Sequence, residues 1–334
     1  MNKNNVTKKR RDRREKRKKI FLILIIILLM IVFGTVTYAW FSSNMKLTID
    51  TMDININTNS GIQVSANGLD WSNTITKDDI IGAIKTYPGA TNQLPETLAG
   101  CSTDGSVDGK ILNMYYGDTR LHGNDGYYLT AKKQSEINCT GDEECNGKHY
   151  IAFDIFILLN ENVDLVVTGE SFVRNKNDIV KGGENSARVG FVNLGTTTNT
   201  VDGRSAQYLA NATSSIIWEP NYDTHTEHGV ENAKNTYGLT TSQTGGARLP
   251  YKGINSEITG RGVLISATDS DPHFTSVNPK ISTVNGFSND QEFTSMTRGI
   301  TKLRIYFWLE GQDVDLENEV SGGELEFKLE IAIK

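Results

Sequence analysis

This chain has few of the residues from which catalytic and metal centres are built. Its 334 residues include 3 cysteines, 5 histidines and 6 prolines. No CxxC pair is present, so the ligand spacing of a structural zinc site is missing. No HExxH, GxSxG or strand-linked GxGxxG motif occurs either, which leaves zinc proteases, hydrolases with a nucleophile elbow and dinucleotide-binding enzymes without support. We therefore assign no catalytic residue and expect no resident cofactor.

Positive charge is also scarce once the N-terminus is set aside. Residues 1–19 carry eleven Lys and Arg against Asp12 and Glu15. The other 315 residues carry 23 Lys and Arg against 38 Asp and Glu, a net charge of −15 that the whole-chain value of −6 conceals. Because this larger part is acidic, we expect no nucleic-acid partner.

An apolar segment follows the basic head directly. Residues 20–33 contain no charge, and together with residues 34–39 they span about 30 Å as a helix. A basic flank stays in the cytoplasm while the apolar segment enters the bilayer. We expect a cytoplasmic head at 1–19, a signal peptide or transmembrane helix at 20–39, and an exported remainder.

Two fates of the apolar segment remain open. Gly34 interrupts it, and Thr37 and Ala39 are the small residues expected at positions −3 and −1 of a cleavage site, with Trp40 as the first mature residue. Cleavage makes a signal peptidase the partner during export and leaves the protein extracellular or on the cell surface. Retention anchors the protein in the membrane, a fate that the long basic head also suits.

The three cysteines fit an oxidising compartment. Cys139 and Cys145 flank a short polar stretch at 140–144, so we predict a disulfide between them, and Cys101 is then free or intermolecular. Three inert, buried thiols are the alternative.

Period-two alternation of apolar residues predicts strands along the exported part. Within residues 325–333 apolar side chains alternate with charged ones, which predicts a strand with one face exposed to solvent. We predict that the loop Glu310–Gly323 joins this strand to residues 299–309 as a hairpin. Residues 149–159 are apolar on both faces, which predicts a central strand. Shorter strands are predicted at Val163–Val167 and Val189–Val192. The class is all-β, an antiparallel sandwich with long loop insertions.

The domain at 58–334 carries an insertion around 196–290, which is rich in Thr, Asn, Ser and Gly. Helix signals are thin: one short helix is predicted over Thr76–Lys85, capped by Thr76 with Asp79 in its first turn.

The segment 40–57, next to the membrane, is a candidate donor strand for assembly. Leu47 and Ile49 alternate in one phase and Met52, Ile54 and Ile56 in the other. This shift indicates one inserted residue, hence a bulge or bend. The alternative is that the segment is simply the first strand of its own sandwich.

Residues 223–228 hold the densest set of candidate metal ligands, namely Asp223, His225, Glu227 and His228. Imidazole and carboxylate ligands suit zinc, but an extended segment puts His228 on the opposite face from the other three. A solvated loop is the alternative. The acidic stretches 142–144 and 313–317 are weak calcium candidates. Trp218 and Trp308 are candidate sugar-stacking platforms or core residues.

The junction TYAWFSSN at 37–44 resembles the processing region of bacterial proteins exported through a SipW-type signal peptidase, the TasA and camelysin group. Further segments resemble less characterised exported members of that set: 60–72, 93–104, 149–157, 187–192, 217–225 and 305–313. The resemblance implies a jelly-roll-like sandwich and a role in a surface or matrix assembly by strand addition between copies or related subunits. Camelysin-type protease activity is not carried over, because no zinc motif is present.

Three functions follow. The first is an exported structural protein that assembles with itself into fibres. The second is a membrane-anchored module that binds a polysaccharide or a protein. The third is a metal-dependent hydrolase that uses residues 223–228.

Overall fold

The structure is a computed structural model, and the part of the chain that it describes is residues 47–55, 62–176, 182–212, 214–240, 246–265, 271–283, 290–316 and 324–334. The chain divides into residues 1–38 and 39–334, and every described residue belongs to the second unit. Within the described ranges, no helix has the length and apolar character that crossing a membrane requires. The head, the segment 20–39, the cleavage residues Thr37, Ala39 and Trp40, and Ile56 lie outside those ranges.

The described residues form mostly β structure, which confirms the predicted all-β class. The strands are β1 (Leu47–Asn55), β2 (Gln63–Ser65), β3 (Thr74–Ile75), β4 (Gln93–Leu94), β5 (Thr97–Leu98), β6 (Gly100–Ser102), β7 (Val107–Asp108), β8 (Ile111–Leu112), β9 (Tyr115–Leu121), β10 (Tyr127–Lys133), β11 (Cys139–Thr140), β12 (Ile151–Leu159), β13 (Val163–Val167), β14 (Phe172–Asn175), β15 (Ala187–Thr197), β16 (Ser215–Glu219), β17 (Lys252–Ile254), β18 (Ile258–Leu264), β19 (Phe274–Ser276), β20 (Lys280–Ile281), β21 (Gln291–Met296), β22 (Gly299–Glu310) and β23 (Glu324–Ile333). The helices are α1 (Lys77–Gly82), α2 (Gly141–Glu144), α3 (Gly183–Ser186), α4 (Arg204–Gln207) and α5 (Glu227–Tyr237).

Two large sheets contain all of these strands except β7, β8, β17 and β19, which form the two small sheets β7-β8 and β17-β19. The first has the order β21-β13-β23-β1-β3, with β14 also paired to β23 and β5 to β1. The second has the order β11-β4-β12-β22-β6-β9-β10-β18; β2 also pairs with β12, β15 with β22, β16 with β15 and β20 with β16. Most pairs are antiparallel as predicted. Among the described strands, the pairs β1–β23, β4–β11, β16–β20 and β6–β22 are parallel, so the expectation of purely antiparallel pairing needs this correction.

β12 and β22 form the centre of the second sheet. They pair over nine residues, from Ile151 opposite Phe307 to Leu159 opposite Gly299, and β15 lies on the other flank of β22. Almost every residue of β12 is buried, which confirms the prediction of a central strand covered on both faces.

The predicted hairpin between residues 299–309 and the C-terminal strand is wrong. β22 lies in the second sheet and β23 in the first, so the chain crosses between sheets after Glu310. Period-two alternation identifies a strand but says nothing about its partner. Both flanks of β22 are already taken by β12 and β15, and β23 pairs instead with β1, β13 and β14.

β1 runs parallel to β23, from Thr48 opposite Glu324 to Asn55 opposite Glu330. The register shifts between Ile49 and Thr51, which confirms the one-residue irregularity that the change of phase predicts. The other flank of β1 is paired only near its ends, with β5 at Leu47 and Thr48 and with β3 at Ile54 and Asn55.

The main hydrophobic core draws side chains from both sheets. Alternate residues of β23 from Leu325 to Ile331 are buried in the same cluster as Ile305 and Phe307 of β22. The rings of Phe307 and Phe327 lie 5.3 Å apart. The two sheets therefore share one hydrophobic core.

The range 196–290 contains more regular structure than its composition suggests. β16 joins the second sheet, and its Trp218 is buried in the main core. β18 extends the same sheet by pairing with β10. The predicted short helix is confirmed as α1: Thr76 caps it, and Asp79 completes a capping box.

Candidate functional site

The segment with the candidate metal ligands is a loop that enters α5. The side chain of His225 is buried; its Nδ1 lies 2.7 Å from Asp315 Oδ2 and its Nε2 lies 2.8 Å from the carbonyl oxygen of Ala247. The carbonyl oxygen can only accept, so Nε2 donates to it; with Asp315 ionised, Nδ1 donates as well and the ring is an imidazolium. Burial lowers the pKa of His225, but the hydrogen bond and the charge of Asp315 outweigh it and raise the pKa to about 9.

The structure does not bring the four candidate ligands together as a group. Both nitrogens of His225 are occupied, while Glu227 and His228 are exposed in the first turn of α5. Asp223, His225 and Glu227 would share a face only in an extended segment, but the helix α5 begins at Glu227. Within the described residues, no group of three or more His, Cys, Asp or Glu is placed to hold a metal ion.

Asp315 instead ties this loop to the segment that follows β22. Besides His225, it accepts hydrogen bonds from Thr226 N at 2.8 Å and Thr226 Oγ1 at 3.0 Å. Thr226 is also the N-cap of α5, accepting from Gly229 N at 2.9 Å. A Cβ on Gly229 would lie 2.1 Å from Asp315 Oδ1, so only glycine allows the carboxylate to come this close.

Arg188, at the start of β15, lies beside this tie and is almost fully buried. Its Nη2 is 2.7 Å from both Glu219 Oε1 and Asp313 Oδ2. Its Nη1 donates to the carbonyl oxygens of Asn185 and Ala187. We call Arg188, Glu219, His225, Asp313 and Asp315 the crossover cluster, because Asp313 and Asp315 lie where the chain leaves one sheet for the other.

A small cavity lies within the crossover cluster. Its volume is about 10 Å³, which is room for about one water molecule and far less than a substrate pocket needs. Hydrogen bonds among the charged side chains of the cluster join β15, β16, the loop before α5 and the segment after β22, so the cluster ties these segments together.

A second buried network, the central cluster, lies on β12 and β22. It consists of Glu136, Asp154, Lys302, Arg304 and Tyr306. Asp154 and Arg304 are opposite each other in register and their side chains lie 2.7 Å apart. Arg304 also contacts Glu136 at 2.6 Å, and Lys302 contacts Asp154 at 3.1 Å. Tyr306 donates to Glu136 at 2.6 Å.

Opposite charges decide the ionisation of Asp154. Burial raises its pKa, but Arg304 and Lys302 outweigh burial and lower it. Tyr87 adds a hydrogen bond to Asp154 at 2.8 Å. No sequence motif marks this network, although an aspartate inside the apolar run 149–159 already signals a buried partner.

Trp218 and Trp308 are buried, so the sugar-stacking hypothesis for them is wrong. Trp218 donates to Ser282 Oγ at 2.9 Å, and Trp308 donates to Glu310 Oε2 at 3.1 Å. Burial raises the pKa of Glu310 to about 7 despite its hydrogen bonds with Ser102, Tyr251 and Trp308.

The structure joins Cys139 and Cys145 by a disulfide, and Cys101 is a buried free thiol. Between the joined cysteines, Asp142 accepts hydrogen bonds from the backbone N–H groups of Glu96 and Thr97. The carboxylates of Asp142, Asp313 and Asp315 thus have protein partners, while Glu317 lies outside the described residues.

Segments that are distant in sequence meet at the crossover cluster. Arg188 comes from β15, Glu219 from β16, His225 from the loop that enters α5, and Asp313 from the segment that follows β22. No protein-family model, curated protein or solved structure matches this chain.

Proposed function

We propose that this protein is an exported structural protein of the cell surface or extracellular matrix, and that copies of it assemble by exchanging β1. In this proposal the two sheets form a jelly-roll-like sandwich, and the leader is removed after Ala39. The N-terminal strand is then free to pair with a neighbouring copy.

The observation that carries this proposal is the position of β1. It is the first described strand, and it pairs along its length with the C-terminal strand β23. A strand at the end of a chain makes the same contacts whether it belongs to its own sheet or to that of a second copy. Exchange therefore costs little pairing energy.

The partial pairing of β1 on its other flank also supports exchange. β5 and β3 cover only its two ends, through Leu47, Thr48, Ile54 and Asn55. The residues between these ends present backbone groups that no described strand pairs, and unpaired edges accept strands from neighbours. Few contacts must break on this flank before β1 can leave.

The buried clusters are consistent with a structural role. Arg304 and Arg188 each bridge two carboxylates through ion pairs of 2.6–2.7 Å. Networks of this kind fix one arrangement of packed segments. In this proposal the two clusters keep the rest of the two sheets rigid while β1 moves from β23 of its own chain to β23 of a second copy.

The test uses paired cysteines across the β1–β23 ladder. Thr51 lies opposite Glu326, so Thr51→Cys with Glu326→Cys places two thiols in register. In protein that starts at Trp40, a short thiol crosslinker is expected to produce covalent ladders of copies, visible by denaturing gel electrophoresis, together with fibres by electron microscopy. Deletion of residues 40–57 should abolish the fibres.

The matched control is Arg174→Cys with Glu326→Cys, because Arg174 of β14 lies opposite the same Glu326. This pair should crosslink only within one chain. Crosslinks of the Thr51 pair confined to monomers under all conditions would overturn the exchange. N-terminal sequencing separates the second function: an intact basic head on monomeric surface protein would favour an anchored binding module.

A further inference from the structure

The cavity of the crossover cluster is lined by buried polar atoms that have no hydrogen-bond partner. They belong to five side chains that are each at least nine-tenths buried. The atoms are Asn185 Oδ1 and Nδ2, Arg188 Nε, Glu219 Oε2, Asn221 Oδ1 and Gln312 Nε2. Buried polar groups are almost always hydrogen-bonded because an unsatisfied one destabilises the fold, so a concentration of them at one point indicates a ligand.

The orientation of two of these groups is fixed by their other contacts. Asn221 Nδ2 donates to the carbonyl oxygens of Val173 and Glu184, which leaves Oδ1 as an acceptor. Both terminal nitrogens of Arg188 are engaged, which leaves Nε–H as a donor. The cavity therefore presents donors and acceptors together.

Charge and size narrow the chemistry of the ligand. Arg188 already contacts Glu219 and Asp313 at 2.7 Å, and Arg248 Nε lies 3.9 Å from Glu219 Oε2, so the carboxylates carry no excess negative charge for a cation. The free acceptors repel an anion. The volume of about 10 Å³ admits one molecule with roughly the radius of water.

We propose that this cavity is the binding site of a single structural water molecule. It accepts from Arg188 Nε and Gln312 Nε2 and donates to Glu219 Oε2 and Asn221 Oδ1, which matches the two lone pairs and two protons of water. The water links β15, β16 and the segment that crosses between the sheets. This inference is independent of the proposed assembly through β1.

A high-resolution crystal structure of the full-length chain tests the site directly. The expected result is one ordered density peak at hydrogen-bond distances from these side chains. A peak at about 2.3–2.5 Å from several oxygens identifies a cation and overturns the proposal. An absence of density overturns it as well.

Substitution of Gln312 by Met provides a second test, because it removes the donor and keeps a similar volume. If Gln312 bonds to water, Gln312→Met raises the unfolding equilibrium constant by roughly fivefold, the effect of one lost hydrogen bond. If the donor is unsatisfied in the native chain, the same change leaves that constant unchanged or lowers it. Urea unfolding followed by tryptophan fluorescence measures the sign.

The matched control is Gln207→Met. Gln207 is 5% exposed against 6% for Gln312, and its Nε2 donates directly to the carbonyl oxygen of Asn67 at 2.7 Å. Gln207→Met should therefore raise the unfolding equilibrium constant by roughly the same factor. Opposite signs for the two variants contradict the water site, and the density map decides if either variant fails to fold.

Discussion

The two buried clusters solve the same electrostatic problem in different places. In the central cluster, Asp154 and Arg304 face each other on paired strands, so the backbone ladder itself sets their distance. In the crossover cluster, Arg188 reaches partners that lie 31 and 125 residues away, at a strand end and in a connecting segment.

This difference decides how completely each cluster is satisfied. Every charged side chain of the central cluster has partners supplied by neighbouring strands or by the adjoining loop. The crossover cluster leaves donor and acceptor atoms facing a cavity, because segments joined by loops cannot place every polar atom at bonding distance. Side chains on paired strands thus satisfy one another in the central cluster, whereas we expect the crossover cluster, which loops bring together, to need a water molecule.

The largest expected loss of stability comes from removing an arginine of the central cluster. Arg304→Met leaves Asp154 and Glu136 buried without their main partner, and should lower the free energy of unfolding by about 4 kcal/mol in urea titrations. The control is Arg120→Met, which breaks an exposed ion pair with Asp118 and should change stability by less than about 1 kcal/mol. Equal losses would show that burial does not set the cost.

A smaller loss is expected from the corresponding change in the crossover cluster. Arg188→Met should lower the free energy of unfolding by about 3 kcal/mol. Arg248 lies near Glu219, and Asp313 is 11% exposed, so both carboxylates retain some compensation. A loss greater than that of Arg304→Met in the same titration would reverse the comparison.

The smallest effect is the pH dependence that His225 contributes to the crossover cluster. The pKa of His225 is raised from its usual 6.5 to about 9, so its stabilisation is complete below pH 6.5 and is lost as the pH rises through about 9. The stability difference between the natural chain and His225→Gln should shrink by roughly 2 kcal/mol from pH 6 to pH 10.

Glu310 and Lys302 are present in both chains, so subtracting the stability of His225→Gln from that of the natural chain at each pH removes their contributions. Thermal unfolding at closely spaced pH values measures it. A difference that stays constant over this range would mean that His225 is neutral in the folded chain.

Sequence patterns located several elements correctly because those elements depend on near neighbours. The capping box of α1 needs only Thr76 and Asp79, three residues apart, and the irregularity in β1 follows from a one-residue change of phase. The burial of β12 on both faces followed from its continuous apolar run. Each of these depends on fewer than a dozen consecutive residues.

The candidate site was harder to predict because its contacts are remote. The candidate ligands were chosen for their proximity in sequence, yet His225 finds its partner at Asp315, 90 residues away. Asp154 and Arg304 are 150 residues apart. No local pattern specifies such pairs, since alternation does not determine strand order.

The sequence by itself determined the all-β class, the places of the main strands and the strong separation of charge between head and body. Those properties reside in composition and in short periodic patterns. Only the tertiary structure decided that β22 and β23 lie in different sheets, that two arginines are buried among carboxylates, and that His225 is held between Asp315 and the carbonyl oxygen of Ala247. The physical reason is that burial and bonding depend on which distant segments meet.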